Sequence, residues 1–566
     1  MSKQTHDEGK ITGAEAIVEM LKLHEVETIF GLCGDTSLPF YDALARVGRQ
    51  MQHVLARDER SAGYMADGYA RVSGRIAICE GPSGGGATYI VPALAEANES
   101  SIPLLCFNSD ISVAARGRYT LTELDQSALM RPVTKWNTVL NRSEDIPRTF
   151  RAAFNQATFG RPGAVHITIP FDVQTGTVDR KELWADRPDE TSRPRGFGPD
   201  SDAVLNAARL LESAEFPVFI CGGGVITAGA EAALVRLAER LSAAVATSIS
   251  GKGSINEDHP LAVGVVGSNG GTPETRGIVD QADLIVFVGC RAGSVTTERW
   301  RHPAPGHVKV IHIDIDPGVM GANYPVDVCL VCDAKLGLEA LNDAVKPVSR
   351  REKIEAVQSA KKQKFANFRS LSVSDETPIR PERLVAEFAR AVGPDATVVV
   401  DAGTPCPYFS AYYELRQSGR RFFSNRAHGA LGYSLPAAIG AHFARPNVKC
   451  VSVMGDGSFG FSCGDLETAV RYHLPVTFVV VSNGNYGWIK AGQRSGYGER
   501  YFGVDFSATD HAAVAAAFGL QSWRVTDPAA LANALKQALE CSGPALVDVV
   551  CQPLHQAKAP VSEWIA

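Results

Sequence analysis

Two polar side chains in the last third of the chain are spaced for holding a phosphate through a metal ion. The run GDGSFGFSCGDLETAVRYHLPVTFVVVSNGNYG, Gly455 to Gly487, presents Asp456 in a glycine turn just after an apolar stretch ending at Met454. A helix-patterned segment follows, and a second apolar stretch then leads into Ser482-Asn483. Two strands joined by a helix are expected to lie in parallel, so that Asp456 and Asn483 emerge at the same edge of a sheet. A carboxylate paired with a carboxamide oxygen is hard-oxygen ligation, suited to magnesium carrying phosphate rather than to zinc. Gly455 and Gly457 let backbone N–H groups approach phosphate oxygens. GDG alone matches many turns; GDG after one strand with Asn after the next is far more specific.

Other segments carry chemistry less openly. Glu59 lies in ARDERSAGYMADGYARVSG (56–74), between Arg57, Asp58 and Arg60, and by itself reads as a solvated helix residue. Leu431 and Gly429 lie in RAHGALGYSLPAAIGA (426–441), where a lone leucine usually belongs to a core. Lys490 and Arg494 lie in WIKAGQRSGYGERYF (488–502), where they either meet an anionic substrate or are ordinary solvated charges. Cys329 and Cys332 have CxxC spacing, but the surrounding VDVCLVCD has no second such pair, so it is read as a buried strand and not as a zinc or redox site.

The elements that position these residues are strand-like runs alternating with helix-like segments, the pattern of parallel α/β domains. The runs are IAIC (76–79), PLLCFNS (103–109), AVHITI (164–169), PVFICGGG (217–224), LIVFVGC (284–290), VKVIHIDID (308–316), ATVVVDAG (396–403), VKCVSVMGDG (448–457), VTFVVVSNG (476–484) and ALVDVV (545–550). Residues 186–202 and 348–381 read as linkers, rich in proline, glycine and charge or carrying a basic run before Pro378 and Pro381. The reading is therefore three doubly wound, parallel-sheet α/β domains over 1–185, 200–346 and 375–555, with a tail over 556–566. The 566 residues are 45% hydrophobic and 21% charged with a net charge of -6, which gives no electrostatic reason to expect nucleic acid or an anionic membrane. Met1 to Lys10 is polar, no stretch approaches the length of an apolar span, and the twelve cysteines are scattered; the expectation is a cytoplasmic protein with reduced thiols.

With these residues in view, the chain resembles the thiamine-diphosphate enzyme superfamily, and within it the acetohydroxyacid (acetolactate) synthases, over about residues 10 to 555. The superfamily fingerprint is GDG followed at this distance by NN; here the pair is Ser482-Asn483, so the first Asn is replaced. The resemblance implies pyrimidine-binding, central nucleotide-binding-like and diphosphate-binding domains in that order. It makes Asp456 and Asn483 side-chain ligands of Mg2+, with Asn485 giving its backbone carbonyl. Gly403, Thr404, Gly455, Gly457, Ser458, Tyr486, Gly487 and Trp488 would surround thiamine diphosphate, Leu431 would wedge the two rings together, and the Gly429 carbonyl would face N4′. Glu59 falls on the activating glutamate. A carboxyl kept partly protonated by burial and bonded to N1′ favours the 4′-imino tautomer, which then deprotonates thiazolium C2. With the metal motif in the same chain, this reading replaces the solvated one.

The glycine turns CGGG (221–224), SISGKGS (248–254) and GCRAGS (289–294) match segments that hold FAD in the synthases, ADP in some acyl-CoA relatives and nothing elsewhere; the acidic pair after the synthase GxR is Ala292-Gly293 here. The substrate side departs further: Gly34-Asp35-Thr36 replaces a GGA loop, Thr122 stands for a Gln, and the family's substrate-selecting Trp aligns near Gly492. Asp35, Thr36, Thr122 and Lys490 are the candidate substrate-pocket residues. The implied activity is decarboxylation of a 2-keto acid with transfer of the acyl unit to a carbonyl acceptor, by a homodimer or homotetramer. The alternatives are a 2-hydroxyacyl-CoA lyase, a 2-keto acid decarboxylase, a 1,2-diketone hydrolase or, in another class, a catalytically inactive nucleotide-binding subunit.

Overall fold

The computed structural model describes residues 9–48, 50–557 and 559–564; the first eight residues of the polar start, and positions 558, 565 and 566 of the tail, lie outside them. Three six-stranded sheets carry the structure, and every pairing within them is parallel. The first runs Gln52–Leu55, Thr28–Gly31, Ala77–Gly81, Leu104–Asp110, Ala164–Pro170, Trp136–Val139. The second runs Ala262–Val265, Ala244–Thr247, Pro217–Cys221, Leu284–Val288, Lys309–Asp314, Val328–Val331. The third runs Phe422–Ser424, Thr397–Val400, Cys450–Gly455, Thr477–Ser482, Ala545–Val550, Gln521–Val525. Lys10–Thr12 and Thr177–Asp179 add a small antiparallel pair.

Composition explains the layering. Central strands covered by helices on both faces are continuous apolar runs, such as LIVFV over Leu284–Val288 and TVVV over Thr397–Val400, and all of these residues are buried. Each such Val, Leu or Phe contributes about 1.5–3 kcal/mol of burial. Edge strands are mixed: QHVL, WNTV and QSWRV each leave residues partly or fully open to solvent. Val328–Val331 is also an edge, with Cys329 exposed and Cys332 buried, so the CxxC run is a strand whose two thiols differ in exposure.

In each sheet the strand order reverses beside the strand that comes first in the chain, and the crevice for a ligand opens at such a point, beyond the carboxyl ends of the strands. In the first sheet the reversal lies between Thr28–Gly31 and Ala77–Gly81, and in the third between Thr397–Val400 and Cys450–Gly455. These two sheets share one order, 2-1-3-4-6-5 in their own strand sequence, whereas the middle sheet is 3-2-1-4-5-6. The chain divides into two compact units, Met1–Arg195 with Ile439–Arg445, and Gly196–Ala438 with Pro446–Ala566.

One expected linker is not a linker. Residues 348–381 contain a 22-residue helix, Arg351–Ser372. Its apolar side is narrow: Val357 and Phe368 are buried, and Ile354 and Phe365 pack beside cores. The intervening charges hide this stripe in the sequence. Lys364 on the same helix is buried, with its ammonium over the Phe365 and Tyr412 rings, and burial lowers its pKa to about 8. The stretch 186–202 is mostly irregular, with one short helix at Pro188–Thr191. No helix among the described residues is long and apolar enough to cross a membrane.

Candidate active site

In the third sheet, Gly455 pairs with Val481, so Asp456 and Ser482-Asn483 leave their strands level with one another. Asp456 opens the helix Asp456–Ser462 and is held by backbone amides: Oδ2 accepts from Asn483 N at 2.7 Å and Gly484 N at 2.6 Å, and Oδ1 from Gly457 N at 2.9 Å. Burial raises its carboxyl above the ordinary range against the opposing pull of these three amides. The Asn483 amide donates to Thr404 Oγ1 at 3.3 Å and the Asn485 amide to Asn483 O at 2.7 Å. The oxygens Oδ1 of both Asn483 and Asn485 are buried and have no hydrogen-bond partner. At Gly487 a Cβ would lie 2.7 Å from Thr404 Oγ1, so only glycine lets these two loops meet.

Two side chains outside the metal motif organise this edge. Asp401 is fully buried, and burial raises its carboxyl to about 6. It accepts from Ser458 Oγ at 2.6 Å, Ala402 N and Tyr433 N at 3.2 Å and Ser434 N at 3.4 Å, tying together the loops after three strands. Ser458 Oγ also accepts from Gly432 N at 3.0 Å. Ser482, the replaced family asparagine, has a second purpose. Its hydroxyl donates to Asp548 Oδ1 and lies 2.8 Å from His511 Nδ1, while Asp548 also receives Arg524 Nη1 at 2.7 Å and His511 N at 3.1 Å.

A cleft of about 790 Å³ opens beyond these strand ends. Gly403, Thr404, Gly429, Leu431, Gly455, Asp456, Gly457, Ser458, Asn485, Tyr486, Gly487 and Trp488 all line it, and Asn483 sits beside it on Asp456 and Thr404. Leu431 is only half-buried, so it faces the cleft and not a core. The opposite wall was not read from the sequence. It consists of Asn269, Arg299 and Trp300 from the loops of the middle sheet, Arg426 before the wedge leucine, and Glu563 and Trp564 from the tail. Lys490 is not among the lining residues: its ammonium lies 2.5 Å from Asp505 and over the Tyr501 ring, which accounts for its charge. Arg494 likewise pairs with Glu499 at 3.3 Å.

The first sheet presents its own crevice. Glu59 opens the helix Glu59–Ser73 behind the cap Asp58 and is 7% exposed, which corrects the solvated reading; Arg57 beside it is exposed. Burial, with the charges of Asp58 and Glu80 adding, holds its carboxyl above the ordinary range. The side chain lies against the GPSGGG loop, where a Cβ at Gly86 would come within 3.0 Å of Glu59 Oε1. Nearby Glu80, which the sequence did not single out, accepts from Tyr41 OH at 2.5 Å and lies 3.1 Å from His53 Nε2. Thr36 and Thr122 meet through Ser83: Thr36 Oγ1 is 3.1 Å from Ser83 Oγ, which is 2.7 Å from Thr122 Oγ1. Thr122 holds φ at 71°, a strained conformation for a β-branched residue. Asp35, in the same turn as Thr36, is exposed.

Comparison with known proteins agrees with this geometry. Residues 11–129 match the N-terminal TPP binding domain of the thiamine pyrophosphate enzymes, 204–341 their central domain, and 401–549 their C-terminal TPP binding domain. The chain is 34% identical over 563 residues to a probable acetolactate synthase large subunit of Methanococcus aeolicus, covering 96% of this chain and 92% of that protein. It is 35% identical to the corresponding protein of Methanocaldococcus jannaschii over the same shares, and 31% identical to an acetolactate synthase of Arthrospira platensis, covering 97% and 96%. The chain belongs to the thiamine pyrophosphate enzymes of the acetolactate synthase type.

A buried acceptor without a donor costs about 1–3 kcal/mol, a cost that the Oδ1 atoms of Asn483 and Asn485 bear at this edge. The family's central-domain glycines serve packing here. A Cβ at Gly222 would lie 2.1 Å from Gly289 O, and one at Gly251 2.1 Å from Cys221 O. Arg420 closes over the same turns, donating to Ser250 O at 3.2 Å and lying 3.3 Å from Thr227 Oγ1.

Proposed function

We propose that this enzyme decarboxylates a 2-keto acid and transfers the acyl unit to a carbonyl acceptor, a carbon–carbon transferase and lyase reaction using thiamine diphosphate anchored by Mg2+. The observation that carries the reading is the set of oxygens at one strand edge: the Asp456 carboxylate with the buried, unpartnered Oδ1 atoms of Asn483 and Asn485. When bound, the cofactor supplies an acyl-carbanion equivalent at thiazolium C2. Asp456 and Asn483 would hold the metal by their side chains and Asn485 by its backbone carbonyl; Gly403, Thr404 and Gly457 would give the diphosphate close backbone approach; Leu431 would be the wedge against which the two rings fold. Glu59 keeps a proton in a dry crevice, where its raised pKa suits exchange with a ring nitrogen. Glu59, Asp456 and Asn483 are all present, which argues against an inactive nucleotide-binding subunit.

The chain is read as a pyrimidine-binding domain over 1–185, a central domain over 200–346 and a diphosphate domain over 375–555, a division supported by one sheet within each range. A flavin is not part of the proposal: the close backbone approach at Gly222, Gly251 and Gly289 accounts for those glycines without one. The functional unit is a homodimer, paired further into a tetramer, in which each site takes Glu59 from one subunit and the metal ligands from its partner. The decisive test is calorimetry on Asp456→Ala: the protein should stay folded and lose thiamine-diphosphate affinity, and undiminished affinity removes the site. Purified protein without flavin absorption, and mass spectrometry of products from keto acids, hydroxyacyl-CoAs and diketones, test the rest.

A further inference from the structure

Among the described residues lining the cleft, Arg426 is a cation that faces a carboxamide and no carboxylate. Arg299 and Arg301 both pair with Glu563. Arg426 has no such carboxylate among the described residues. With the Asn269 carboxamide turned so that its oxygen faces the guanidinium, Arg426 donates to it from Nη2 at 2.8 Å and Nη1 at 3.1 Å, and the Nε–H is buried with no partner among the described residues. A half-buried guanidinium facing a carboxamide has lost water without gaining a counter-charge, and an anion entering the cleft restores it. A planar guanidinium with an unused donor matches a carboxylate in particular.

The surroundings of Arg426 are apolar. Val295, Trp300, Tyr486 and Ile489 are each at least 36% exposed and line this one cleft, and Trp564 packs against Trp488 with ring centroids 5.1 Å apart. The Trp300 ring is held by a 3.2 Å bond from Nε1 to Ala292 O. Scattered exposed apolar residues mean little, but a cluster lining a cavity is a binding wall. Arg426 is also only three residues from Gly429 and five from Leu431 in the chain, on the segment that positions the cofactor rings.

We propose that Arg426, aimed by Asn269, is the specificity-determining anchor for the carboxylate of the 2-keto acid. The wall of Trp300, Trp488 and Trp564 then takes that acid's side chain, selecting an aromatic or long apolar group over a methyl. The inference rests on the keto-acid reading above and deepens it. It does not favour a coenzyme A thioester, whose several phosphates would need more than one free cation.

The test uses holoenzyme with thiamine diphosphate and Mg2+, with phenylpyruvate and pyruvate as keto acids and a neutral aldehyde as acceptor. Wild-type enzyme should favour phenylpyruvate by about tenfold or more in kcat/KM, within the range that apolar pocket contacts supply. Arg426→Gln should raise KM for the keto acid by about 30-fold or more, with kcat and the KM for the aldehyde little changed. Arg426→Lys should recover part of the loss, and Trp564→Ala should erase most of the preference. An unchanged keto-acid KM in Arg426→Gln overturns the anchor. Weakened thiamine-diphosphate affinity in that variant also overturns it, by placing the guanidinium on the cofactor. A wild-type preference for pyruvate overturns the aromatic wall. If no keto acid is turned over although the cofactor binds, the proposed reaction fails. Quenching of tryptophan fluorescence by phenylpyruvate then judges Arg426 separately: equal binding by wild type and Arg426→Gln refutes the anchor.

Discussion

Exchanging Ser482 for asparagine would put back the residue that the superfamily carries beside its metal-binding Asn, and the structure predicts that this exchange does harm. Ser482 is 6% exposed, and its hydroxyl is enclosed between His511 and Asp548, the latter fully buried. Burial raises the Asp548 carboxyl, but the bonds from His511 and Ser482 and the Arg524 charge outweigh it and leave the group below the ordinary carboxylate range. Asparagine adds volume to a closed site, at about 1–3 kcal/mol for overpacking, and replaces a hydroxyl that fits two partners. Ser482→Ala has no steric component and isolates the polar one: it removes a bond to a charged group, worth about 1.5–3 kcal/mol.

The next residue is Asn483, the proposed metal ligand, whose N–H meets Asp456 and whose carboxamide oxygen is buried without a partner. A loss of about 1.5–3 kcal/mol is roughly ten- to hundredfold in an equilibrium constant, the usual range for a partner standing behind a metal ligand. Mg2+ titration by calorimetry in the presence of thiamine diphosphate should therefore show about ten- to hundredfold weaker binding in both variants. The Ser482→Ala protein should otherwise keep its secondary structure by circular dichroism. Wild-type metal affinity in Ser482→Asn would refute the claim that His511 and Asp548 hold this strand end, and with it the explanation of the missing family asparagine.

Three further outcomes follow from the same geometry. Glu59→Gln should bind cofactor normally but exchange the C2 proton about 100-fold more slowly or worse, read by quenched-flow NMR, because the variant cannot pass a proton. Lys364→Met should raise the thermal midpoint at pH 7. A lysine lowered from 10.5 to about 8 by burial costs about 3 kcal/mol while it stays protonated, and wild-type stability should recover as pH rises from 8 towards 10.5, where the unfolded chain still binds the proton. Mixed dimers of Glu59→Gln and Asp456→Ala should regain activity that neither parent has, since both lesions fall in one of the two shared sites; demonstrably mixed dimers that stay inactive would place the cofactor within one chain.

What the sequence disclosed depended on how the signal was distributed along it. Every apolar run identified as a strand is one, because central parallel strands need uninterrupted Val, Ile and Leu. The edge strands Gln52–Leu55, Trp136–Val139 and Gln521–Val525 were missed, since solvent on one side admits Gln, Asn, Arg and Ser. The helix Arg351–Ser372 was taken for a linker because its buried stripe includes a lysine and a serine. That Asp456 and Asn483 come to one sheet edge was legible from spacing, for each follows a strand and those strands pair directly. Arg426, Asn269, Trp300 and Trp564 carry no spacing signal at all: they come from separate stretches and meet only when the chain folds.

The same contrast separates the two sides of the cleft. The metal edge is bound by short-range logic: Asp401, Ser458 and Asp456 each hold backbone amides or hydroxyls of neighbouring loops, so a change at any one of them disturbs several bonds. The opposite wall has few such ties. Trp300 is fixed by one bond to a carbonyl, Arg426 by one carboxamide, and Trp564 by stacking near the end of the described chain. Replacing a residue there disturbs fewer hydrogen bonds than a replacement at Asp401, Ser458 or Asp456. Ser482 shows the opposite case. Its hydroxyl sits in a closed set with His511, Asp548 and Arg524, so an exchange at this one position disturbs the carboxylate and every donor it holds.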